Sequence, residues 1–275
     1  MADQEDLLQT AVDAARAGAE VILAAHRSGR RIPYTAKAQN DFVTAVDHEA
    51  ESAIVSRIRS RHPDHAVMAE ESDASDPGGA IRWIIDPLDG TTNFIHGFPV
   101  FSVSVAAARS RPGRPLDGDV LAGVVHDPLR AETFTAIRGG GAFLNGDPIR
   151  VSAREEIESC LLATGFPFRA QHLLETYLRI FADLHQVTQG IRRTGSAALD
   201  LAYVACGRAD AFFEFSLSPW DMAAGSLLVR EAGGEVADFA GGDAYFGSGH
   251  IVAGPRPVLD RMLEIISRHY RETGR

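Results

Sequence analysis

The chain has 275 residues, 45% of them hydrophobic and 23% charged, a composition that favours a globular protein with one large core or two fused subdomains. Its formal net charge of -10, without basic runs interleaved with aromatic residues, argues against direct nucleic-acid binding. The sequence shows neither a membrane-length apolar run nor a signal-peptide pattern, so we expect a cytoplasmic protein with no membrane partner. Cys160 and Cys206 fit no paired or metal-binding pattern and are predicted to be core residues.

The first part of the chain combines helices with short strands. Apolar residues recur at helical spacing over residues 4–27 and 47–61, and these two helices are expected to pack as a pair. Five extended segments separated by Pro and Gly then predict an antiparallel sheet covered by helices. These segments are residues 65–69, 81–86, 100–108, 120–126 and 132–138.

The glycine-rich stretch GGGAFLNGDP at residues 139–148 is predicted to be a turn, after which strands and helices alternate. We therefore predict an N-terminal α+β subdomain at residues 1–150 and a C-terminal α/β subdomain at residues 151–275, built as layers of helix and sheet. The predicted strands of the second part are residues 159–164 and 211–214, and its predicted helices are residues 171–186, 197–206, 222–232 and 257–271.

The most informative stretch is WIIDPLDGTTNF at residues 83–94, in which a predicted buried strand runs directly into two carboxylates. Pro87 restricts the turn, so Asp86 and Asp89 are expected to come to the same side, where they can face one cation. Each carboxylate has an alternative explanation, because Asp86 could begin an Asx-turn and Asp89 could cap a helix. The pattern D-P-x-D alone does not separate these possibilities.

The residues after this turn predict an anion site. Gly90, Thr91 and Thr92 supply backbone N–H groups and hydroxyls at the point where a helix would begin. Carboxylates beside an anion site repel a phosphate unless a divalent cation bridges them, and hard oxygen ligands suit Mg²⁺. The stretch therefore predicts a combined metal and phosphate site.

Two further acidic segments could complete the set of ligands. Glu70 and Glu71 follow the predicted strand at residues 65–69, and Asp221 precedes the predicted helix at residues 222–232. Strand ends and helix starts are where α/β proteins gather their ligands. Taken singly, each acid is also explained as a solvated side chain or a helix cap.

Three segments resemble the motifs of a known family. AEES at residues 69–72, DPLDGTTNF at 86–94 and WDMAAG at 220–225 follow one another as in the inositol monophosphatase family of Mg²⁺-dependent, Li⁺-sensitive phosphatases, and the likeness covers nearly the whole chain. The resemblance implies a mixed α+β and α/β protein, a five-layered αβαβα sandwich of the inositol monophosphatase and fructose bisphosphatase type. It also implies hydrolysis of a small phosphate monoester and a homodimer.

The resemblance further implies a set of metal ligands, for two or three Mg²⁺ ions. Glu70, Asp86 and the carbonyl of Leu88 would hold one ion. Asp86, Asp89 and Asp221 would hold a second, with Asp86 bridging the two. Most of these ligands lie in the predicted N-terminal subdomain, and the C-terminal one supplies Asp221.

Catalytic and substrate contacts are implied in the same way. Thr91, with Glu70, would orient the attacking water, and the backbone amides of residues 90–92 would bind the phosphate. Gly195 and Ala197 would line the pocket, and Glu214 would contact substrate hydroxyls unless it is an ordinary strand-end acid. The TNF letters after DGT favour the inositol phosphate branch, so myo-inositol 1-phosphate is the predicted substrate.

Residues 37–47 resemble the family's K-x(3)-D-x-V-T-x-x-D loop, which closes over the site. Asp41 and Asp47 would then lie near the metal cluster, and Lys37 would point toward it. Lys37 is the only lysine of the chain, which suits a need for a compact charge on a flexible stem, although its survival by chance on a solvated loop explains it equally well.

Two other functions stay open at this stage. A broader phosphatase could also cleave fructose 1,6-bisphosphate, and some bacterial relatives act mainly as interaction partners of the transcription machinery. Every expected ligand is present in this sequence, which favours an enzyme over a protein that acts only by binding.

Overall fold

The computed structural model describes residues 2–29, 32–38, 41–72, 79–110 and 119–270, without the side chains of residues 2, 37, 38 and 41. Its helices are α1 (Ala2–Arg27), α2 (Ala45–Arg61), α3 (Thr91–Ile95), α4 (Leu174–Val187), α5 (Ala197–Ala205), α6 (Pro219–Glu231), α7 (Tyr245–Ser248) and α8 (Arg256–Ile266). Its strands are β1 (Tyr34–Ala38), β2 (Asp41–Thr44), β3 (Ala66–Ala69), β4 (Ile81–Asp89), β5 (Ser102–Arg109), β6 (Val120–Asp127), β7 (Glu132–Ile137), β8 (Gly141–Leu144), β9 (Asp147–Pro148), β10 (Leu161–Thr164), β11 (Gly190–Arg192), β12 (Ala211–Glu214), β13 (Glu235–Ala237) and β14 (Ile251–Gly254).

Two sheets, each with helices on both faces, build five layers. Strands β3 to β9 form a seven-stranded sheet in chain order, and the second sheet has the order β11-β10-β12-β14-β13. Helices α1 and α2 cover the outer face of the first sheet, α5 and α6 lie between the sheets, and α4 and α8 cover the outer face of the second. The predicted αβαβα sandwich is confirmed. The division into subdomains at residue 150 stays a prediction.

Buried apolar clusters hold these layers together, and the alternation of side chains along each strand assigns residues to them. In β4, Trp83 and Ile85 pack toward α1 and α2, whereas Ile84 between them packs toward the middle helices. In β12, Phe212 faces the middle layer and Phe213 faces α4 and α8. Strands buried on both faces explain why these segments are nearly continuous apolar runs.

The middle layer is kept thin by glycine. A Cβ at Gly123 of β6 would lie 3.0 Å from the Cα of Ala224, and a Cβ at Gly225 would lie 2.5 Å from the Cβ of Leu201 in α5. A side chain at either glycine therefore requires the backbone or a packed neighbour to move. This close packing fixes the position of α6, whose first turn carries Asp221.

The first part of the chain differs from the sequence prediction in three places. Residues 37–47 are not a single loop, because they contain the end of β1, all of β2 and the first turn of α2. The glycine-rich stretch at residues 139–148 includes β8 and β9, which are too short to show a period of two. The sheet is not wholly antiparallel, because β3 and β4 pair in parallel. The prediction missed this because the amino-acid composition of two strands does not indicate the direction in which they pair.

The second part differs mainly at the ends of elements and in its shortest strands. Strands β11, β13 and β14, of three or four residues each, were not predicted. The helix predicted to begin at residue 222 begins at Pro219, a residue that favours the first helical position, so Asp221 lies inside α6. The last predicted helix ends at Ile266 rather than at residue 271.

Both cysteines are free, and their burial differs. Cys160 is fully buried, as predicted, whereas Cys206 at the end of α5 is only half-buried. Burial raises the pKa of the Cys160 thiol to about 11, which keeps it protonated and unreactive. Over the described ranges, none of the helices combines sufficient length with sufficient apolar content to span a bilayer.

A stacked pair of histidines lies beside Trp83 of β4. The rings of His62 and His65 have centroids 4.5 Å apart, and Trp83 Nε1 donates a hydrogen bond of 3.1 Å to His65 Nδ1. This bond requires a neutral His65, because a protonated Nδ1 has no lone pair to accept with. Burial, followed by the nearby His62, lowers the pKa of His65 below its usual 6.5.

We expect the free energy of unfolding to fall as the pH drops below about 6.5, because a histidine whose pKa is lowered in the folded state takes up its proton on unfolding. Trp83→Phe removes the indole N–H that donates to His65. Its packing cost does not depend on pH, and the lost hydrogen bond should lower the free energy of unfolding by a further amount of about 1 kcal/mol at neutral pH and by nothing in acid. Urea denaturation at two pH values checks this. Trp220→Phe is the matched control, since Trp220 Nε1 has no hydrogen-bond partner among the described residues. An equal cost of Trp83→Phe at both pH values would contradict the prediction.

Candidate active site

A cavity of about 340 Å³ opens where strands of both sheets end. It lies beside the last residues of β4, β10 and β12 and beside the first turns of α3, α5 and α6. Acidic side chains dominate its described lining, and they come from both halves of the chain. Six carboxylic acids and two arginines line it: Glu70, Asp86, Asp89, Asp200, Glu214 and Asp221, with Arg169 and Arg193.

Strand β4 carries two of these acids into the cavity. Its pairing with β5 is irregular between Asp86 and Asp89, where the strand bulges. Asp86 accepts a hydrogen bond of 3.0 Å from the N–H of Leu88, so the alternative predicted for it, an Asx-turn, is present as well. Asp89 accepts from Ser196 Oγ at 2.6 Å and from the N–H of Ala198 at 2.8 Å. It therefore caps α5, not the helix that directly follows it in sequence.

Burial and mutual repulsion both disfavour the charged forms of these acids. Burial, and then the negative charge of Glu70, raises the pKa of Asp86 well above its usual value. Burial, and then Asp221, raises the pKa of Asp89 to about 7. Burial and the neighbouring carboxylates also raise the pKa of Glu214. The six described acids of the cavity outnumber its two arginines, and a bound cation would favour their charged forms.

Thr91 is the first residue of α3, and its hydroxyl is directed at Asp47. Thr91 Oγ1 lies 2.9 Å from Asp47 Oδ1 and 3.0 Å from the carbonyl oxygen of Leu88, so its single proton is shared between them. Asp47 is buried in the first turn of α2, where its other oxygen accepts from the N–H of Thr44 at 2.8 Å. With the proton directed away, the Thr91 oxygen can accept a hydrogen bond from a water in the cavity.

Gly90 makes the turn that starts α3. Its φ is +99°, and a Cβ there would lie 3.0 Å from the carbonyl oxygen of Val100 and 3.2 Å from that of Gly195, so both conformation and space favour glycine. Thr91 and Thr92 follow as the first residues of the helix. The first N–H groups of a helix have no partner within it, so these amides can bind an anion.

The predicted substrate contacts lie across the cavity. Glu214 is buried at the end of β12, and its carboxylate lies directly against the backbone of Gly165, where any Cβ would collide with it. Gly195 and Ala197 lie at the start of α5 and line the same space. The structure thus brings the three residues together, and their role in substrate binding stays a prediction.

The predicted loop residues have different outcomes. Asp47 reaches the site through its bond with Thr91. Lys37 and Asp41 belong to the backbone of the β1–β2 hairpin, but their side chains lie outside the described residues, and their predicted positions stay predictions. Phe42 of the same hairpin lines the cavity, which places β2 at its mouth.

Sequence reasoning missed Arg169, whose guanidinium lies among the predicted ligands. Arg169 Nη1 is 2.6 Å from Asp221 Oδ2, and Nη2 is 3.4 Å from Glu70 Oε1. The signal that could have indicated it is the position of GFPFR directly after the strand β10, because β10 lies parallel to β12, whose end carries Glu214.

Ser196 and Asp200 were also missed. Both are buried, Ser196 as the N-cap of α5 and Asp200 in its first turn. Ser196 donates to Asp89, and Asp200 accepts a hydrogen bond of 2.7 Å from Thr194 Oγ1. The segment GSAALD supports the cavity through these polar contacts as well as lining it.

The donor chemistry of the cavity fits magnesium. Buried carboxylates and the carbonyl of Leu88 are hard oxygen donors, and Mg²⁺ typically takes one or two carboxylates and keeps several waters. In the part of the chain that the structure describes, no three acids, histidines or cysteines converge closely enough to hold one ion by themselves. The guanidinium of Arg169 lies between Glu70 and Asp221 instead. The residues fit a cation whose coordination is completed by water and substrate.

The five-layered αβαβα fold, with an acidic cavity where the two sheets end, is similar to that of solved inositol monophosphatase structures. The model of the inositol monophosphatase family matches residues 3–271, and the chain belongs to this family.

Individual relatives match along nearly their full length. The chain is 48% identical over 270 residues to Nus factor SuhB of Pseudomonas aeruginosa, covering 96% of this chain and 97% of that protein. The crystal structure of extragenic suppressor protein suhB from Bartonella henselae matches with a TM-score of 0.89 at 38% identity, covering 96% and 100% of the two chains. The IMPase of Thermotoga maritima matches with a TM-score of 0.85 at 37% identity, covering 98% and 100%.

Proposed function

We propose that the protein is a Mg²⁺-dependent phosphatase that hydrolyses a phosphate monoester, with myo-inositol 1-phosphate as its preferred substrate. The observation that carries this proposal is the hydroxyl of Thr91, hydrogen-bonded to buried Asp47 at the edge of a cavity lined by carboxylates. Membership of the inositol monophosphatase family supports the reaction class. The choice of inositol phosphate rests on the segment at residues 92–94 and on Glu214.

The chain's own groups divide the work as follows. The amides of residues 90–92 bind the phosphate oxygens at the start of α3. Thr91, with Glu70, orients a water in line with the phosphorus. As the water oxygen bonds to phosphorus, the bond between phosphorus and the alcohol oxygen breaks. The water gives a proton to the Thr91 hydroxyl, and Thr91 gives its hydroxyl proton to Asp47. The leaving alcohol oxygen takes up a proton from solvent.

The carboxylates of the cavity indicate where cations would bind. Two or three Mg²⁺ ions, when bound, supply the positive charge that lets a phosphate enter this acidic cavity and that stabilises the charge developing on the oxygens around phosphorus. The residues that would hold them are Glu70, Asp86, Leu88 through its carbonyl, Asp89 and Asp221.

The experiment that tests the function is phosphate release from myo-inositol 1-phosphate, fructose 1,6-bisphosphate and an aryl phosphate, with and without Mg²⁺ and with added Li⁺. Mg²⁺-dependent, Li⁺-inhibited release that is fastest with the inositol ester is the expected result. Equal or faster release from fructose 1,6-bisphosphate would replace the substrate and keep the mechanism. No release from any ester would overturn the proposal.

Glu214→Ala should raise KM for myo-inositol 1-phosphate about tenfold or more and leave turnover of an aryl phosphate within about twofold. The reason is that the Glu214 carboxyl group can accept hydrogen bonds from polyol hydroxyls, each of which contributes about 0.5–1.5 kcal/mol, or about 1.5–3 kcal/mol where the acceptor is charged. Steady-state kinetics on both substrates checks this. Glu235→Ala, which removes an exposed acid of β13, serves as the control. An equal loss on both substrates would show that Glu214 supports the cavity without selecting the substrate.

A second candidate function comes from the names of the relatives. Proteins 46–48% identical to this chain are called Nus factor SuhB, which favours a further role in binding a protein of the transcription machinery. The net charge of -10 favours a protein partner over direct RNA contact. Co-purification of RNA polymerase with tagged wild-type and Asp89→Asn protein tests this role separately from catalysis. A homodimer is proposed as well, and sedimentation equilibrium tests it.

A further inference from the structure

Arg169 joins two acids that the fold brings from distant parts of the chain. Its guanidinium bonds to Asp221 in the first turn of α6 at 2.6 Å and to Glu70 directly after β3 at 3.4 Å. The side chains of Asp221 and Glu70 are 7% and 12% exposed, whereas that of Arg169 is 25% exposed. The arginine is therefore the member of the group that can swing toward solvent without opening the core.

The contacts of Asp221 show what changes if Arg169 leaves. Asp221 Oδ2 accepts from Arg169 and also from the N–H of Ser218 at 2.7 Å, as part of the capping box of α6. The cap holds the carboxylate in place without help from the arginine. Arg169 in turn has a second stabilising contact, because its Cζ lies 4.8 Å from the ring centroid of Phe168 at the cavity wall.

We propose that Arg169 competes with magnesium for Asp221 and Glu70. The guanidinium occupies the position between the two acids, and a cation that binds both of them would displace it. The inference rests on the proposed function, since it concerns the same cavity and the same ligands. It makes Arg169 a residue that sets the magnesium concentration at which the site fills.

The physical reason is charge. A guanidinium and a divalent cation repel each other strongly in a partly buried site, so both cannot stay on the same pair of carboxylates. If Arg169 instead served only to position Asp221 for the metal, its removal would weaken magnesium binding. The two roles therefore predict opposite changes in affinity.

Calorimetric titration of metal-stripped protein with Mg²⁺ alone distinguishes these roles. Arg169→Gln should bind Mg²⁺ about tenfold more tightly than the wild type. Arg169→Lys keeps the charge and should stay within about threefold of the wild type, because an ammonium can still pair with one acid. Arg193→Gln is the matched control, since it removes the same charge from the same cavity and no carboxylate of the described residues lies at ion-pair distance from Arg193.

Thermal unfolding gives a second readout that does not depend on catalysis. With a chelator, Arg169→Gln should unfold about 3 °C below the wild type, because Asp221 and Glu70 lose their shared partner. In excess Mg²⁺ this deficit should disappear or reverse. Unchanged or weaker Mg²⁺ binding in Arg169→Gln, or an equal deficit in both conditions, would overturn the competition. A wild type that binds no Mg²⁺ at all would overturn the proposed function with it, whereas Mg²⁺ binding of equal strength in wild type and variants overturns only the role of Arg169.

Discussion

Asp89→Asn should lower kcat by about a thousandfold and leave the fold intact. The amide oxygen of asparagine can still accept from Ser196 and from the N–H of Ala198, so the cap on α5 is kept. What is lost is one negative charge of the cation set, and metal-derived stabilisation of the transition state contributes several kcal/mol. Phosphate release in saturating Mg²⁺ measures the effect. Asp243→Asn, which changes an exposed acid paired with Arg230, is the control.

The same substitution has a different expected effect on stability. The pKa of Asp89 is raised from 3.8 to about 7, so the metal-free protein loses stability as the pH rises through that range, where the unfolded state has lost a proton that the folded state still holds. Asparagine has no charge to bury. At pH above 7 and with a chelator, the variant should be at least as stable as the wild type by scanning calorimetry. A variant that turns over at a rate near that of the wild type would refute the role of Asp89, and a less stable one would refute the burial argument.

Thr91→Val should lower kcat by about 10² to 10⁴ and change KM little, because it removes the group that orients and deprotonates the water while the phosphate amides remain. Valine has nearly the shape of threonine, so packing around α3 is preserved. Thr91→Ser keeps the hydroxyl and should restore most of the activity. Steady-state kinetics of the two variants makes the comparison.

The partnership of Thr91 with Asp47 makes a second, sharper expectation. If the hydroxyl works through its 2.9 Å bond to Asp47, then Asp47→Asn alone and the double variant with Thr91→Val should be similarly slow. Residues that act as one unit show such non-additive losses. Losses that multiply in the double variant would show that the two side chains act independently.

The outer layers could be predicted because their sequence patterns are long. Residues 4–27 and 47–61 repeat an apolar face over many turns, and α1 and α2 lie there within two residues of the predicted ends. Strands β8, β9 and β11 were not predicted, and their pairing depends on neighbours elsewhere in the chain. The hairpin of β1 and β2 was hidden in the same way.

The site residues also differ in whether they could be predicted from the sequence. Asp86, Asp89 and Thr91 lie in one continuous stretch, and their chemistry could be argued from the letters alone. Arg169 and Ser196 could not be placed, because Arg169 meets Asp221 across 52 positions and Ser196 meets Asp89 across 107. Contacts at such separations come from the packing of the two sheets. Sequence spacing does not encode them without knowledge of the fold.

The thin middle layer has a consequence for how this protein can vary. Asp221 lies in the first turn of α6, and α6 packs closely against its neighbours because Gly123 and Gly225 have no side chains. The spacing between the two sheets therefore sets the distance between the two walls of the cavity. Substitutions on the outer helices do not change the spacing between the sheets, so the outer surface of the molecule can acquire new binding surfaces. A single methyl group added at either glycine would move Asp221 without altering any residue of the site.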